Sequence, residues 1–165
     1  MKRIGLLSDT HGFIDPKIFE HFKDVDEIWH AGDVGSLEVI DELRKFKPFK
    51  GVYGNIDDHI IRQELPEFNR FFCEDVEVLI THIAGKPGKY SKPAFDEIER
   101  KPPKLLICGH SHILLVQMDK RYKMLWMNPG ACGYKGFHSV KTILRFCITG
   151  DRIHDLEAIE LGKRV

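Results

Sequence analysis

The sequence predicts an α/β domain in which two β-sheets pack together and helices cover the outside. Three features predict it. In the first half, short apolar runs alternate with amphipathic segments in a βαβα order. In the second half most segments alternate apolar and polar residues, as strands do. At 165 residues, 42% of them hydrophobic, the chain fits one domain over residues 1–165 and buries about 70% of its unfolded surface.

Taken in order, Ile4 to Ser8 reads as a buried first strand that gives way to Asp9-Thr10-His11-Gly12. Pro16 to Phe22 suits a short helix, with Asp15 as its N-cap and proline in the first helical position. Glu27 to His30 is a second strand running into Ala31-Gly32-Asp33. Ser36 then caps a helix through about Phe46, with Leu37, Ile40, Leu43 and Phe46 on one face and Val39 off it. Phe49 to Tyr53 is a third strand, followed by Gly54-Asn55-Ile56-Asp57. Phe71 to Glu74 and Val76 to Thr81 form a hairpin ending at His82, and Lys86 to Lys92 a Gly/Pro/Lys-rich loop. Pro93 opens a helix through about Arg100. The apolar run Leu105 to Cys108 is a central buried strand, closed by Gly109 and followed by His110 and His112. A run of antiparallel strands follows: Ile113 to Met118, Lys123 to Met127, Val140 to Thr149 and Arg152 to Ile159, with a turn at Gly150-Asp151.

Composition narrows the function classes. The formal charge is zero and no basic stripe runs along the chain, which argues against life on a nucleic-acid backbone. Cys73, Cys108, Cys132 and Cys147 are far apart and form no C-x-x-C, so they read as reduced core residues. No run approaches the roughly 20 apolar residues of a membrane span, and the start resembles no signal peptide. A cytoplasmic setting is the expectation.

The chemistry lies at the strand ends. Asp9 with His11, Asp33, Asn55, His82, and His110 with His112 each follow a strand, where loops of an α/β sheet converge on a ligand. All offer oxygen or neutral nitrogen, and no cysteine joins them. Seven ligands exceed the three or four that a single zinc takes, and fit two ions sharing a carboxylate. A mixed carboxylate, amide and imidazole set favours manganese, iron, cobalt, nickel or zinc over the all-oxygen metals magnesium and calcium.

In this order the motifs D-x-H (Asp9, His11), G-D (Gly32, Asp33), G-N (Gly54, Asn55), H (His82) and G-H-x-H (Gly109, His110, His112) resemble the calcineurin-like metallophosphoesterases. The small size and Asn128-Pro129-Gly130 are most similar to the compact YfcE-type phosphodiesterases. The resemblance runs from Ile4 to about Phe146. It implies a four-layer αββα sandwich, the metallo-dependent phosphatase fold. It also implies two divalent ions, manganese foremost: Asp9, His11 and His112 on one, Asn55, His82 and His110 on the other, and Asp33 bridging. The implied reaction is hydrolysis of a small phosphodiester by in-line attack of a metal-bridging hydroxide. Asp33, Asn55 and His82 stand nearest the chemistry.

One position departs from the family. Many relatives follow G-N with a histidine that protonates the leaving oxygen, and here Ile56 stands there. The expectation is weak activity on poor leaving groups and better activity on aryl diesters, with His59 as the nearby candidate acid. His30 reads as core packing or support beside the Gly-Asp motif, and His21, His138 and His154 as surface or packing residues. Lys86, Lys89 and Lys92 read as a solvated loop face or a greeting for an anion. Phe71, Phe72 and Trp126 read as core or subunit contacts, consistent with a homodimer or higher homo-oligomer, and Asn128-Pro129-Gly130 as a turn near the site. Two other functions fit the same fold: a non-catalytic scaffold resembling the retromer subunit, and a nucleotidase or nuclease. The ligand set speaks against the first, and the lack of insertions and of a basic stripe against the second.

Overall fold

Two five-stranded sheets face each other across an apolar interior in this computed structural model, which describes residues Met1–Val165. In chain order the elements begin with β1 (Lys2–Leu7), α1 (Lys17–His21), β2 (Glu27–His30), α2 (Leu37–Phe46), β3 (Phe49–Gly51) and α3 (His59–Glu64). Next come β4 (Phe68–Cys73), β5 (Val76–Thr81), β6 (Gly85–Lys86), β7 (Lys89–Tyr90) and α4 (Lys92–Arg100). The chain finishes with β8 (Leu105–Ile107), β9 (Leu114–Asp119), β10 (Met124–Pro129), β11 (Val140–Thr149) and β12 (Arg152–Lys163).

The first sheet has the order β12-β11-β1-β2-β3, the second β4-β5-β8-β10-β9, and β6 pairs only with β7. In the first, β1, β2 and β3 run parallel. In the second, β5, β8 and β10 run parallel between antiparallel edges β4 and β9. Parallel neighbours bring their carboxyl ends to one edge of a sheet, which is where every predicted site residue follows its strand.

The period-2 pattern explains the layers. Ile4 and Leu6 of β1 and Leu105 and Ile107 of β8 point into the inter-sheet core with Trp29, Val78, Ile80 and Phe146. Leu7 points the other way, onto Ile18 of α1, Ile40 and Leu43 of α2 and Ile61 of α3. Leu106 points outward on the second sheet, onto Ala94 and Ile98 of α4. Helices therefore cover both outer faces, and the architecture is the predicted α/β stack of two mixed sheets. No helix is long and apolar enough to cross a membrane.

Several expectations need correction. The last four strands are not one antiparallel run: β9 and β10 join the second sheet, β11 and β12 the first, and β10 lies parallel to β8. Alternation sets which way a side chain faces, not which strand lies beside it. Val39 is buried with Ile40 and Leu43, so the inner face of α2 is wider than the predicted stripe. Ser36 precedes α2 in extended backbone but its hydroxyl makes no capping bond. Pro16, not Asp15, adjoins α1, although Asp15 Oδ1 still accepts from the Lys17 N–H at 3.0 Å. Helix α3 lies in a stretch, between the third strand and the hairpin, for which the sequence predicts no element. Its cap is plain in retrospect: Asp58 Oδ1 accepts from the N–H groups of Ile60 and Ile61.

Candidate metal centre

Seven side chains arrive from two sheets. Asp9 and His11 follow β1, Asp33 follows β2 and Asn55 follows β3. His82 follows β5, and His110 and His112 follow β8. The loops are tied to one another by backbone bonds, Asp9 N–H to the Gly32 carbonyl and Gly109 N–H to the His82 carbonyl, both 3.0 Å. Asp9, His11, Asp33, His110 and His112 all adopt left-handed backbone, with φ between 48° and 72°. Each such residue costs on the order of 1–3 kcal/mol. Aspartate and histidine tolerate the conformation better than most, and the concentration of it here marks a site rather than a stability device.

The glycines of the motifs are there for close approach. A Cβ on Gly54 would lie 2.0 Å from Asp33 Oδ1, and one on Gly109 would lie 2.1 Å from Ser8 Oγ and 2.8 Å from Asp9 Oδ2. The carboxylates of Asp33 and Asp9 rest on bare backbone.

The side chains form two triads, Asp9 with His11 and His112, and Asp33 with His82 and His110, each with ligand atoms within 4.8 Å of one another. Asp9 Oδ1 lies 3.1 Å from His112 Nε2 and 3.7 Å from His11 Nε2. Asp33 Oδ2 lies 3.1 Å from His82 Nε2 and 3.5 Å from His11 Nε2, so it faces an imidazole of each triad. Asn55 Oδ1 is 3.0 Å from His110 Nδ1. Asp9 Oδ1, His11 Nε2 and His82 Nε2 are buried without completing an aligned hydrogen bond. A buried polar atom left unpaired costs about 1–3 kcal/mol. Two divalent cations would satisfy all three, and the hard-and-borderline donor set suits them.

Surrounding groups fix the imidazoles. His82 Nδ1 lies 2.7 Å from the Ala31 carbonyl, which can only accept, so the proton sits on Nδ1 and Nε2 presents a lone pair. His138 Nε2 donates to the Gly133 carbonyl at 2.7 Å, which leaves His138 Nδ1 to accept from His112 Nδ1 at 3.2 Å. His112 Nε2 is thereby left as a lone pair toward Asp9. Asp9 Oδ2 accepts from the Ser8 hydroxyl and the His110 N–H, and Asp33 Oδ1 from the Ile56 N–H. The Asn128 amide braces the last loop, donating to the Gly109 carbonyl and Ser111 Oγ and accepting from the Gly130 N–H.

Burial opposes the charge on Asp9, but the imidazoles of His11, His112 and His82 and the Ser8 hydroxyl outweigh it and hold the carboxyl well below the usual range. Burial likewise opposes protonation of His82, and the carboxylates of Asp33 and Asp9 outweigh it and push the imidazole up. Each is the signature of concentrated opposite charge that a cation would reorganise.

The remaining sequence candidates fall around this centre. His30 is fully buried; Nδ1 accepts from the Gly32 N–H and Nε2 faces the Thr10 hydroxyl, so it locks two loops and faces no ligand atom. His59 opens α3, exposed and with no side-chain hydrogen bond. His21 and His154 lie elsewhere, whereas His138, read as packing, supports His112. Phe71 packs on Trp29 between the sheets, and Phe72 is exposed. Lys92 is paired with Asp96, but Lys86 and Lys89 stand on the β6–β7 hairpin along a cavity beside His110. Sequence reasoning missed Arg62. Its guanidinium stacks over Tyr53 at 4.6 Å, donates to the Asp57 and Asn55 carbonyls, and lines a cleft of about 340 Å³ with Asn55 and His82.

Residues 1–151 match the profile of the calcineurin-like phosphoesterase superfamily domain. A probable metallophosphoesterase of Methanothermobacter thermautotrophicus is 32% identical over 134 residues, covering 78% of this chain and 76% of that protein. A solved archaeal phosphodiesterase superposes with a TM-score of 0.74 at 26% identity, covering 96% of this chain and 99% of that one. Vps29 from Chaetomium thermophilum, at 14% identity, shares the fold with a TM-score of 0.74 over 98% and 97% of the two chains.

Proposed function

Because this chain belongs to the calcineurin-like phosphoesterase superfamily, we propose that it is a phosphodiesterase working with two divalent cations on a small diester substrate. The observation that carries this reading is the convergence of three buried, unpartnered ligand atoms from two strand ends, one in each sheet. Asp9, His11 and His112 would hold one cation and Asn55, His82 and His110 the other. Asp33, facing an imidazole of each group, would be shared. Manganese suits this donor set, as do nickel, iron, cobalt and zinc. When bound, such a pair lowers the pKa of water and takes up charge on the phosphoryl oxygens.

The chain supplies the rest. With Oδ1 turned to His110, the Asn55 amide has its NH₂ left to donate to a phosphoryl oxygen. Arg62 has no carboxylate partner, so its charge is available to the phosphate in the same cleft. At Ile56 no side chain can deliver a proton to the leaving oxygen, which favours good leaving groups such as phenolates. We read the setting as cytoplasmic, in keeping with four unpaired cysteines.

The test is hydrolysis of bis(p-nitrophenyl) phosphate by protein loaded with manganese. Turnover is expected with metal, and loss of it with a chelator or in Asp33→Ala. Equal turnover in either case would overturn the reading. A non-catalytic scaffold need hold no metal tightly, so metal content after purification bears on that alternative.

A further inference from the structure

A cavity of about 600 Å³ opens against the carboxyl end of β8, within the size range of small-molecule sites. Gly109, His110 and Ser111 form one side, so it adjoins the candidate metal centre. Ile83, Ala84, Tyr90, Ile113, Leu115 and Trp126 supply its apolar walls. Ile83, Ile113 and Leu115 remain exposed there, although each is large and apolar. Such a cluster beside a polar centre marks a place where apolar ligand surface is received.

The uncharged polar groups in the wall are largely committed to the protein itself. The Tyr90 hydroxyl donates to Asp119 at 2.5 Å and the Ser91 hydroxyl to the Ile83 carbonyl at 3.1 Å. Both ends of the Asn128 amide are engaged. A nucleobase is selected through hydrogen bonds to its edge, and the uncharged wall side chains leave for that purpose only two donors, the Ser111 O–H and the unpaired indole N–H of Trp126, and no acceptor array. Lys86 and Lys89 differ: they line the cavity and neither has an ion-pair partner among the bonds of the structure.

Resting on the phosphodiesterase reading, we infer that this cavity receives an aryl group esterified to the phosphate, with Lys86 and Lys89 meeting a negative charge at its outer end. The indole of Trp126 and the phenol ring of Tyr90 favour a flat aromatic group over a small alkyl one. The substrate class is then an aryl phosphodiester, and the cavity holds the aryl group that stays with phosphorus while the other alcohol leaves.

Two diesters with one leaving group test it: phenyl p-nitrophenyl phosphate and methyl p-nitrophenyl phosphate, with the manganese-loaded protein. The phenyl diester is expected to have a kcat/KM about tenfold or more higher, through KM. Leu115→Ser removes apolar wall without touching a candidate ligand, and should cut that preference about five- to tenfold while leaving the methyl diester unchanged. Leu115→Trp, which fills the cavity, should remove the preference from the opposite direction and guards against a folding defect in the first variant. Equal rates for the two diesters, or a preference that survives both variants, would overturn the inference and leave the phosphodiesterase reading standing. If neither diester is hydrolysed, titration of zinc-loaded protein with phenyl phosphate decides. Shifts in the methyl resonances of Ile113 and Leu115, absent with inorganic phosphate, would keep the cavity assignment while the catalytic reading falls. No shift would sink the cavity assignment too.

Discussion

The Nδ1 atoms of His112 and His138 lie 3.2 Å apart, and only one of them can carry the proton between them. Because His138 Nε2 already donates to the Gly133 carbonyl, the shared proton belongs to His112. His138→Phe keeps the ring and removes the acceptor, and is expected to weaken metal binding by about 10–100-fold, the usual effect of losing such a partner. His138→Asn should recover part of the loss. Calorimetric titration with manganese gives the answer, and an unchanged affinity in the phenylalanine variant would show that the pair only packs.

Metal should stabilise the fold. At a concentration about a hundredfold above its dissociation constant, a native-state ligand contributes roughly 2.7 kcal/mol. For a chain of this size that is a rise in Tm of about 5–10 °C. The rise should vanish with a chelator and in Asp33→Ala, measured by circular dichroism melting.

Gly54→Ala places a methyl group 2.0 Å from the position of Asp33 Oδ1. The carboxylate must move, and with it the Asp33 backbone, whose nitrogen would lie 2.3 Å away, so manganese affinity should drop by more than the destabilisation of the metal-free protein, read from its melting temperature, accounts for. Comparing the two quantities in one variant separates a displaced ligand from a general folding defect.

The leaving oxygen has no proton donor at Ile56, whose backbone N–H bonds Asp33 Oδ1 while its side chain is exposed. Ile56→His should flatten the dependence of rate on leaving-group pKa, raising activity on alkyl diesters by up to about a hundredfold. His59→Ala should leave that dependence alone, since His59 stands free at the start of α3. Identical slopes in wild type and Ile56→His would exclude the missing donor as the reason for selectivity.

Burial drives His30 down to about 3 in the folded chain, against about 6.5 when unfolded. Between those values the unfolded state binds a proton that the folded state refuses, so stability falls as pH drops through this window. One such group contributes a slope of about 1.4 kcal/mol per pH unit. Urea titrations from pH 7 to pH 4 should show a shallower decline in His30→Asn, which keeps an acceptor for the Gly32 N–H but does not titrate.

The layers were legible because strands buried on both faces are apolar throughout, as in Leu105 to Cys108, and because βαβα order constrains what can pack on them. The convergence of the seven candidate ligands was legible because each stands just past a strand, and chance rarely puts histidine, aspartate or asparagine at five such ends. What escaped depends on contacts far apart in sequence. His138 gains its role only because the fold carries it onto His112, 26 residues away. Arg62 sits on α3, a helix of six residues too short to show a period, and so its approach to Asn55 was hidden. The split of β10 and β11 between sheets was hidden for the same reason.

Four of the candidate ligands come from loops of the first sheet and three from loops of the second. A cation that bridges them therefore has no complete binding place until the two sheets have docked, late in folding. Added manganese should then slow the unfolding rate almost in proportion to its stabilisation and leave the refolding rate nearly untouched. The metal would act as a kinetic latch on the finished stack.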